Sequence, residues 1–133
     1  MKHSTGNPTK AEAKRMDTIK DASECVCCKK RRLLSSYVEI HHLLSGNKRM
    51  GHMFTIGLCV WHHRGIPMYG YTRRQMQEIY GDSLAHGSKI FRAQFGSDMD
   101  LLEMQNEVLD DSLCQAVELS LVGAVGLTGN QPA

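Results

Sequence analysis

Aromatic side chains are scarce in this sequence: they fill 6% of 133 positions, with one tryptophan, Trp61. That excludes a large aromatic core, and a modest core of aliphatic and sulfur side chains needs a staple such as a metal or a disulfide set. No run of about 18 apolar residues occurs, so no membrane-spanning helix is expected. The N-terminal stretch MKHSTGNPTKAEAKR lacks an apolar centre and does not read as a secretory signal, so a cytoplasmic protein is expected. Bases are missing from the last part of the chain: all 16 Lys and Arg lie at or before Arg92. Residues 1–95 carry sixteen bases against seven acids, a net +9, whereas residues 96–133 carry seven acids and no base. A basic body of this kind attracts polyanions, nucleic acid first. The bland alternative is a solvated surface whose two halves neutralise each other.

The five cysteines are odd in number, and three crowd into Cys25, Cys27 and Cys28. That pattern argues against a disulfide framework and for metal binding in a reducing compartment.

Along the chain, residues 1–8 read as a flexible arm. Thr9 and Glu12 form a capping-box pattern, which predicts a helix to about Ala22. Cys25–Cys28 follows as a tight knuckle, and Lys29–Arg32 as a basic surface run. Ser36–His42 alternates as a strand, Ser45–Gly51 reads as a polar loop, and Met53–Leu58 as a second strand. Cys59–Arg64 predicts a helical turn that Gly65 and Pro67 end. Thr72 with Gln75 opens a helix to about Tyr80, and Ser88–Phe95 is a helix closed by Gly96. Ser97 caps an acidic helix, residues 97–122, packed on the body, which Leu113–Leu121 continue. Residues 123–133 read as a disordered tail. No internal repeat is visible.

The chemistry-bearing stretch runs from Cys25 to His63. It holds Cys25-x-x-Cys28, then Glu39-Ile40-His41-His42, then Cys59-x-x-His62-His63. Thiolate and imidazole are the usual zinc ligands, four to a structural site. A Cys25, Cys28, Cys59 and His62 site for Zn2+ is therefore expected, with Cys27 as a spare, packed or partly exposed thiol. One helical step turns a side chain by roughly 100°, so His63 faces away from a zinc that His62 faces. His41 and His42 are strand neighbours and point to opposite sides. Two histidine pairs beside a zinc knuckle, with a basic loop between them, are hard to explain by packing alone. A neutral imidazole is a suitable base near pH 7, and imidazoles also hold cations with open positions. Lys48 and Arg49 in the loop, with Arg64 beside His63, are the phosphate-binding candidates. Trp61 is expected to pack against the knuckle.

The stretch EIHHLLSGNKRMGHMFTIGLCVWHHRG, preceded by CVCC and followed by LAHGSKIF and FGSD, resembles the HNH superfamily. More narrowly it is similar to the Ref-type recombination-enhancement, RecA-dependent nucleases of temperate phages and prophages, over most of residues 10–109. The resemblance implies an α+β fold: a small ββα-metal, treble-clef-like core with a zinc knuckle, flanked by α-helices, in a nuclease domain over residues 9–96. It implies an endonuclease that hydrolyses DNA in the bacterial host cell, with a RecA filament as partner. It makes His42 the general base and makes His41 and His63 ligands of a catalytic Mg2+ or Mn2+. The products would carry 5′-phosphate and 3′-hydroxyl ends.

Departures from the pattern are specific. The middle Asn of HNH enzymes has no counterpart, since Asn47 comes too early. His52 or Thr55 lies nearer that place, and His52 would orient the base, bind a second metal or cap a strand. His86 would be an outlying ligand, a phosphate contact or a surface residue. The knuckle reads CxxH where CxxC is commoner. Gly57 stands where proline is commoner, which is expected to loosen the second strand. Two other readings compete: a non-catalytic zinc module that binds nucleic acid, and a zinc-stapled interaction domain working through its acidic helix. The acidic segment could also fold over the DNA face and restrain cutting, although a helix packed by its Leu and Val face is favoured.

Overall fold

A computed structural model describes residues 6–35 and 37–125, with residues 112–125 described by their backbone alone. Of the tail expected over 123–133, residues 123–125 are helical and residues 126–133 lie outside the described residues, as do the first five residues of the arm and Ser36.

At the centre are two antiparallel strands followed by a helix. Strand β1 (Glu39–His42) pairs with β4 (Thr55–Leu58), Glu39 opposite Leu58 and His42 opposite Thr55. Both strands are shorter than the sequence pattern predicts. Between them the chain forms a second hairpin, β2 (Leu44–Ser45) with β3 (Lys48–Arg49), where a polar loop was expected. The reason is its two-residue turn: Gly46 and Asn47 both adopt positive φ, +59° and +70°. Glycine and asparagine tolerate that conformation, and its twist suits an antiparallel pair.

From β4 the chain passes through Cys59 into helix α3 (Val60–Arg64), which Gly65 ends at φ +73°. Residues directly opposite across the pair share a face. Glu39 and His41 therefore face α3, while Ile40 and His42 face the other side with Gly57 and Thr55.

On that other side lies α1 (Lys10–Ala22), whose capping box of Thr9 and Glu12 forms as the sequence predicts. Gly57 is a point of close approach. A Cβ there would sit 2.8 Å from Ile19 Cγ2 and 3.0 Å from Val38 Cγ2. The glycine thus admits α1 and does not loosen the strand: Gly57 is buried, and its N–H donates to Gln105 Oε1 at 2.7 Å. The Thr55 carbonyl accepts from Arg15 at 2.7 Å. Side chains from two helices thereby occupy backbone groups along β4.

The remaining helices are α2 (Val26–Lys30), α4 (Arg73–Tyr80), α5 (Ser88–Phe95) and α6 (Asp98–Val125), with a 3₁₀ turn at Leu84–His86. Helix α2 replaces the bare knuckle of the sequence reading, and the 3₁₀ turn was not foreseen. Thr72 and Gln75 form the second capping box. Helix α6 is unbroken to Val125 and buries Leu101, Leu102, Gln105 and Val108, while Glu103, Glu107, Asp110 and Asp111 stay exposed. The core gathers Ile19, Leu43, Ile56, Trp61, Phe95 and Leu101. Among the described residues no helix is long and apolar enough to cross a membrane.

Candidate functional site

Cys25 and Cys59 are each the N-cap of a five-residue helix. Cys25 Sγ accepts from the Cys28 N–H and Cys59 Sγ from the His62 N–H, both at 3.5 Å. The segments Cys-Val-Cys-Cys and Cys-Val-Trp-His are thus two copies of one turn, too short to register as a repeat. Backbone N–H groups aimed at sulfur favour the thiolate, the form that binds metal.

The turns bring Cys25, Cys28, Cys59 and His62 together, all buried, with ligand atoms within 4.8 Å of one another. His62 Nδ1 lies 3.5 Å from Cys25 Sγ, 3.6 Å from Cys28 Sγ and 3.3 Å from Cys59 Sγ, and the Cys28 and Cys59 sulfurs are 3.7 Å apart. Bonds of about 2.3 Å to sulfur and 2.0–2.1 Å to nitrogen place tetrahedral zinc ligands roughly 3.5–3.8 Å apart. The cluster can hold a metal ion such as zinc. His62 Nε2–H donates to the Tyr80 carbonyl at 2.8 Å, which leaves Nδ1 for the metal. Burial disfavours a charge on His62, yet hydrogen bonds and charge from Cys25 and Cys59 outweigh it and raise its pKa to about 10. The cluster favours positive charge. Cys27 is fully buried, and burial pushes its thiol up, so it packs as a neutral group.

His63, the next residue, turns from the cluster to β1 as the helical step requires. Its ring meets His41 edge-on with centroids 5.2 Å apart. Its Nδ1 lies 2.8 Å from Glu39 Oε1. A carboxylate only accepts, so the proton sits on Nδ1 and the Nε2 lone pair remains available. Arg64 holds both oxygens of Glu39, and that contact is the main cause of the carboxylate's lowered pKa. Arg64, a phosphate candidate by sequence, is thus engaged with Glu39. Burial first, and then the charge of His63, depress His41 to about 4, so its imidazole is neutral at pH 7.

His42, on the opposite face, forms the second couple. Its Nε2 lies 3.0 Å from His52 Nδ1, and His52 Nε2 lies 3.0 Å from the Gly6 carbonyl. His52 is buried. Burial, then the charges of Arg49 and His52, hold His42 below the usual histidine range. Arg49 also contributes to the lowering at His41, so one guanidinium acts on both couples.

His41 lines a cleft of about 430 Å³ together with Leu43, Ile56, Phe91, Arg92 and Asp98. Arg92 and Asp98 form an ion pair at 3.2 Å. Lys48 and Arg49 are exposed on β3, and among the described residues neither forms an ion pair. Three bases of the Lys29–Arg32 run have other partners: Lys29 pairs with Glu24 at 3.7 Å, while at helix ends Lys30 donates to the Phe95 carbonyl at 2.6 Å and Arg31 to the Ile79 carbonyl at 3.0 Å. The Lys30 and Arg31 contacts close the ends of α5 and α4, where cations suit the helix dipole. Trp61 is fully buried, with Nε1–H donating to the Gly81 carbonyl, and His86 rests edge-on against it.

A family model described as "Recombination enhancement, RecA-dependent nuclease" matches residues 8–110, a span that holds both histidine couples and the Cys/His cluster. The chain belongs to that family. No curated relative matches the sequence. Sequence reasoning gave no role to Glu39 and Gly6, which contact the histidines, or to Asp98, which lines the cleft with His41. Glu39 had a signal: it stands two residues before His41 on a strand, hence on the same face. Gly6 and Asp98 had none, because their places depend on how distant segments pack.

Proposed function

We propose that this nuclease is a metal-dependent endonuclease of the HNH (ββα-metal) type, hydrolysing DNA phosphodiester bonds where RecA-coated DNA directs it in recombination. The carrying observation is the pair of histidine couples set on opposite faces of one strand end, both under the charge of Arg49. One couple suits a cation and the other suits a proton.

His41 and His63 would hold the catalytic divalent cation. Both offer nitrogen donors, which favours Mn2+ over Mg2+, and Glu39 with Arg64 sets the His63 ring. Such an ion supplies positive charge to the scissile phosphate and the departing oxygen. His42 acts as the general base: it takes a proton from water as the water oxygen bonds to phosphorus and the bond to the 3′-oxygen breaks. The departing oxygen is protonated by solvent, leaving 5′-phosphate and 3′-hydroxyl ends. Lys48 and Arg49 hold flanking phosphates. His52 positions His42. Both His52 ring nitrogens are engaged, which leaves no lone pair for a second metal.

A RecA partner and a thiolate metal cluster would both suit action in the bacterial cytoplasm. The test is a nicking assay with Mn2+ or Mg2+ on single-stranded, duplex and RecA-coated DNA. His42→Ala is expected to lose about 100-fold or more in rate, with zinc content and melting temperature unchanged. If wild type and His42→Ala behave alike on every substrate, this mechanism fails and a non-catalytic zinc module that binds nucleic acid takes its place.

A further inference from the structure

The geometry points to Gly6, in the N-terminal arm, as a positioning residue: its main-chain carbonyl, acting through His52, decides which nitrogen of His42 is free to accept a proton. This inference rests on His42 being the base.

It follows from what each group can do. A backbone carbonyl only accepts. The Gly6 oxygen lies 3.0 Å from His52 Nε2, so that nitrogen carries the hydrogen. In a neutral ring the other nitrogen, Nδ1, is then an acceptor. It lies 3.0 Å from His42 Nε2, which must donate to it. The hydrogen of neutral His42 is thereby held on Nε2, and its Nδ1 lone pair is left open to water.

Without the carbonyl, the opposite chain is equally good. His52 would carry its hydrogen on Nδ1 and donate to His42 Nε2. His42 would then hold its own hydrogen on Nδ1, with its one lone pair consumed in the contact with His52. The two chains have the same number of hydrogen bonds between the rings, and only the first leaves a usable base. The selecting group comes from a segment remote in sequence, 46 residues before His52. Gly6 itself adopts φ +55°, a conformation that glycine permits, and this turns the chain as it reaches His52. His52 is only 6% exposed, which limits access of water as a substitute acceptor.

Two deletions in the zinc-loaded full chain separate this role from a merely structural one. Removing residues 2–8 takes away the carbonyl and keeps Thr9, the N-cap of α1. Removing residues 2–4 keeps Gly6. The longer deletion is expected to lower kcat about 10-fold or more, the scale of losing a group that orients a ligand or base, with KM within about two-fold. The shorter one is expected to leave kcat unchanged. In a His52→Ala background the longer deletion should add less than about two-fold, since both changes cut one chain of contacts.

Nitrogen-15 spectra of the imidazoles give a readout independent of cutting: His52 should carry its hydrogen on Nε2 in the intact chain and lose that single state in the longer deletion. An unchanged kcat, an undiminished effect in the His52→Ala background, or an unchanged His52 tautomer would each overturn the proposal. If the intact protein cuts no DNA, the proposed function fails, while the spectra still decide whether the arm sets the tautomer.

Discussion

Glu39 shows how one side chain can organise a site it does not chemically enter. It fixes the His63 ring through Nδ1 and is itself held by Arg64. Glu39→Gln keeps the shape but weakens the hold on both partners. It should raise the Mn2+ concentration needed for half-maximal cutting by about 10- to 100-fold, read from a metal titration, with zinc content unchanged. Gly57 is a residue whose importance lies in having no side chain. A Cβ there meets Ile19 and Val38 within 3.0 Å. Gly57→Ala should therefore destabilise the protein by about 1–3 kcal/mol, outweighing the usual gain of replacing glycine by alanine. Urea unfolding of the zinc-loaded protein measures it.

The helices are set largely by their ends. Thr9 and Thr72 close capping boxes visible in the sequence, and Ser97 with Asp100 makes an equivalent reciprocal pair on α6. Hydrogen bonds from Ser97 hold the Asp100 carboxyl below its usual range. The contribution of this cap is full above the unfolded-state pKa of about 3.9 and fades as pH falls through the lowered folded value. Asp100→Asn removes that dependence. Its melting temperature should lie below wild type at pH 6, with the gap closing toward pH 3. The hairpin of β2 and β3 escaped the sequence reading because each strand has two residues, too few for an alternation of apolar and polar positions to show. Gly46 and Asn47 were visible but read as loop, since turn residues alone do not reveal whether their flanks pair.

At the scale of the whole molecule, the Cys25, Cys28, Cys59 and His62 cluster joins the N-terminal part of the chain to α3. A metal held there would complete a small core, so chelation should unfold the protein. One zinc per chain is expected, lost in Cys28→Ser and retained in His63→Ala, by metal analysis after gel filtration. Fewer bases are free to contact phosphate than the net +9 of the body suggests. Arg15, Lys30, Arg31, Arg64 and Arg92 are tied to backbone or acidic partners inside the fold. Lys48 and Arg49 remain exposed on β3, where the charge of Arg49 acts on His41 and His42. Replacing both with alanine should reduce the slope of log affinity against log salt by about 2, measured by fluorescence anisotropy on duplex DNA.

The metal cluster was legible in the sequence because its ligands come as short fixed spacings, Cys25-x-x-Cys28 and Cys59-x-x-His62, and local geometry dictates what such spacings can reach. The opposed faces of His41 and His42, and of His62 and His63, were legible for the same reason: the periods of strand and helix are local properties. The mixed helix and small-sheet architecture followed from caps and alternation. Tertiary structure alone decided the partners. It set His63 against Glu39, gave His52 both His42 and the Gly6 carbonyl, and made Gly57 the point where α1 comes close. Those contacts join residues far apart in the chain. Their geometry depends on how helices settle on the strands, which no spacing within one segment encodes.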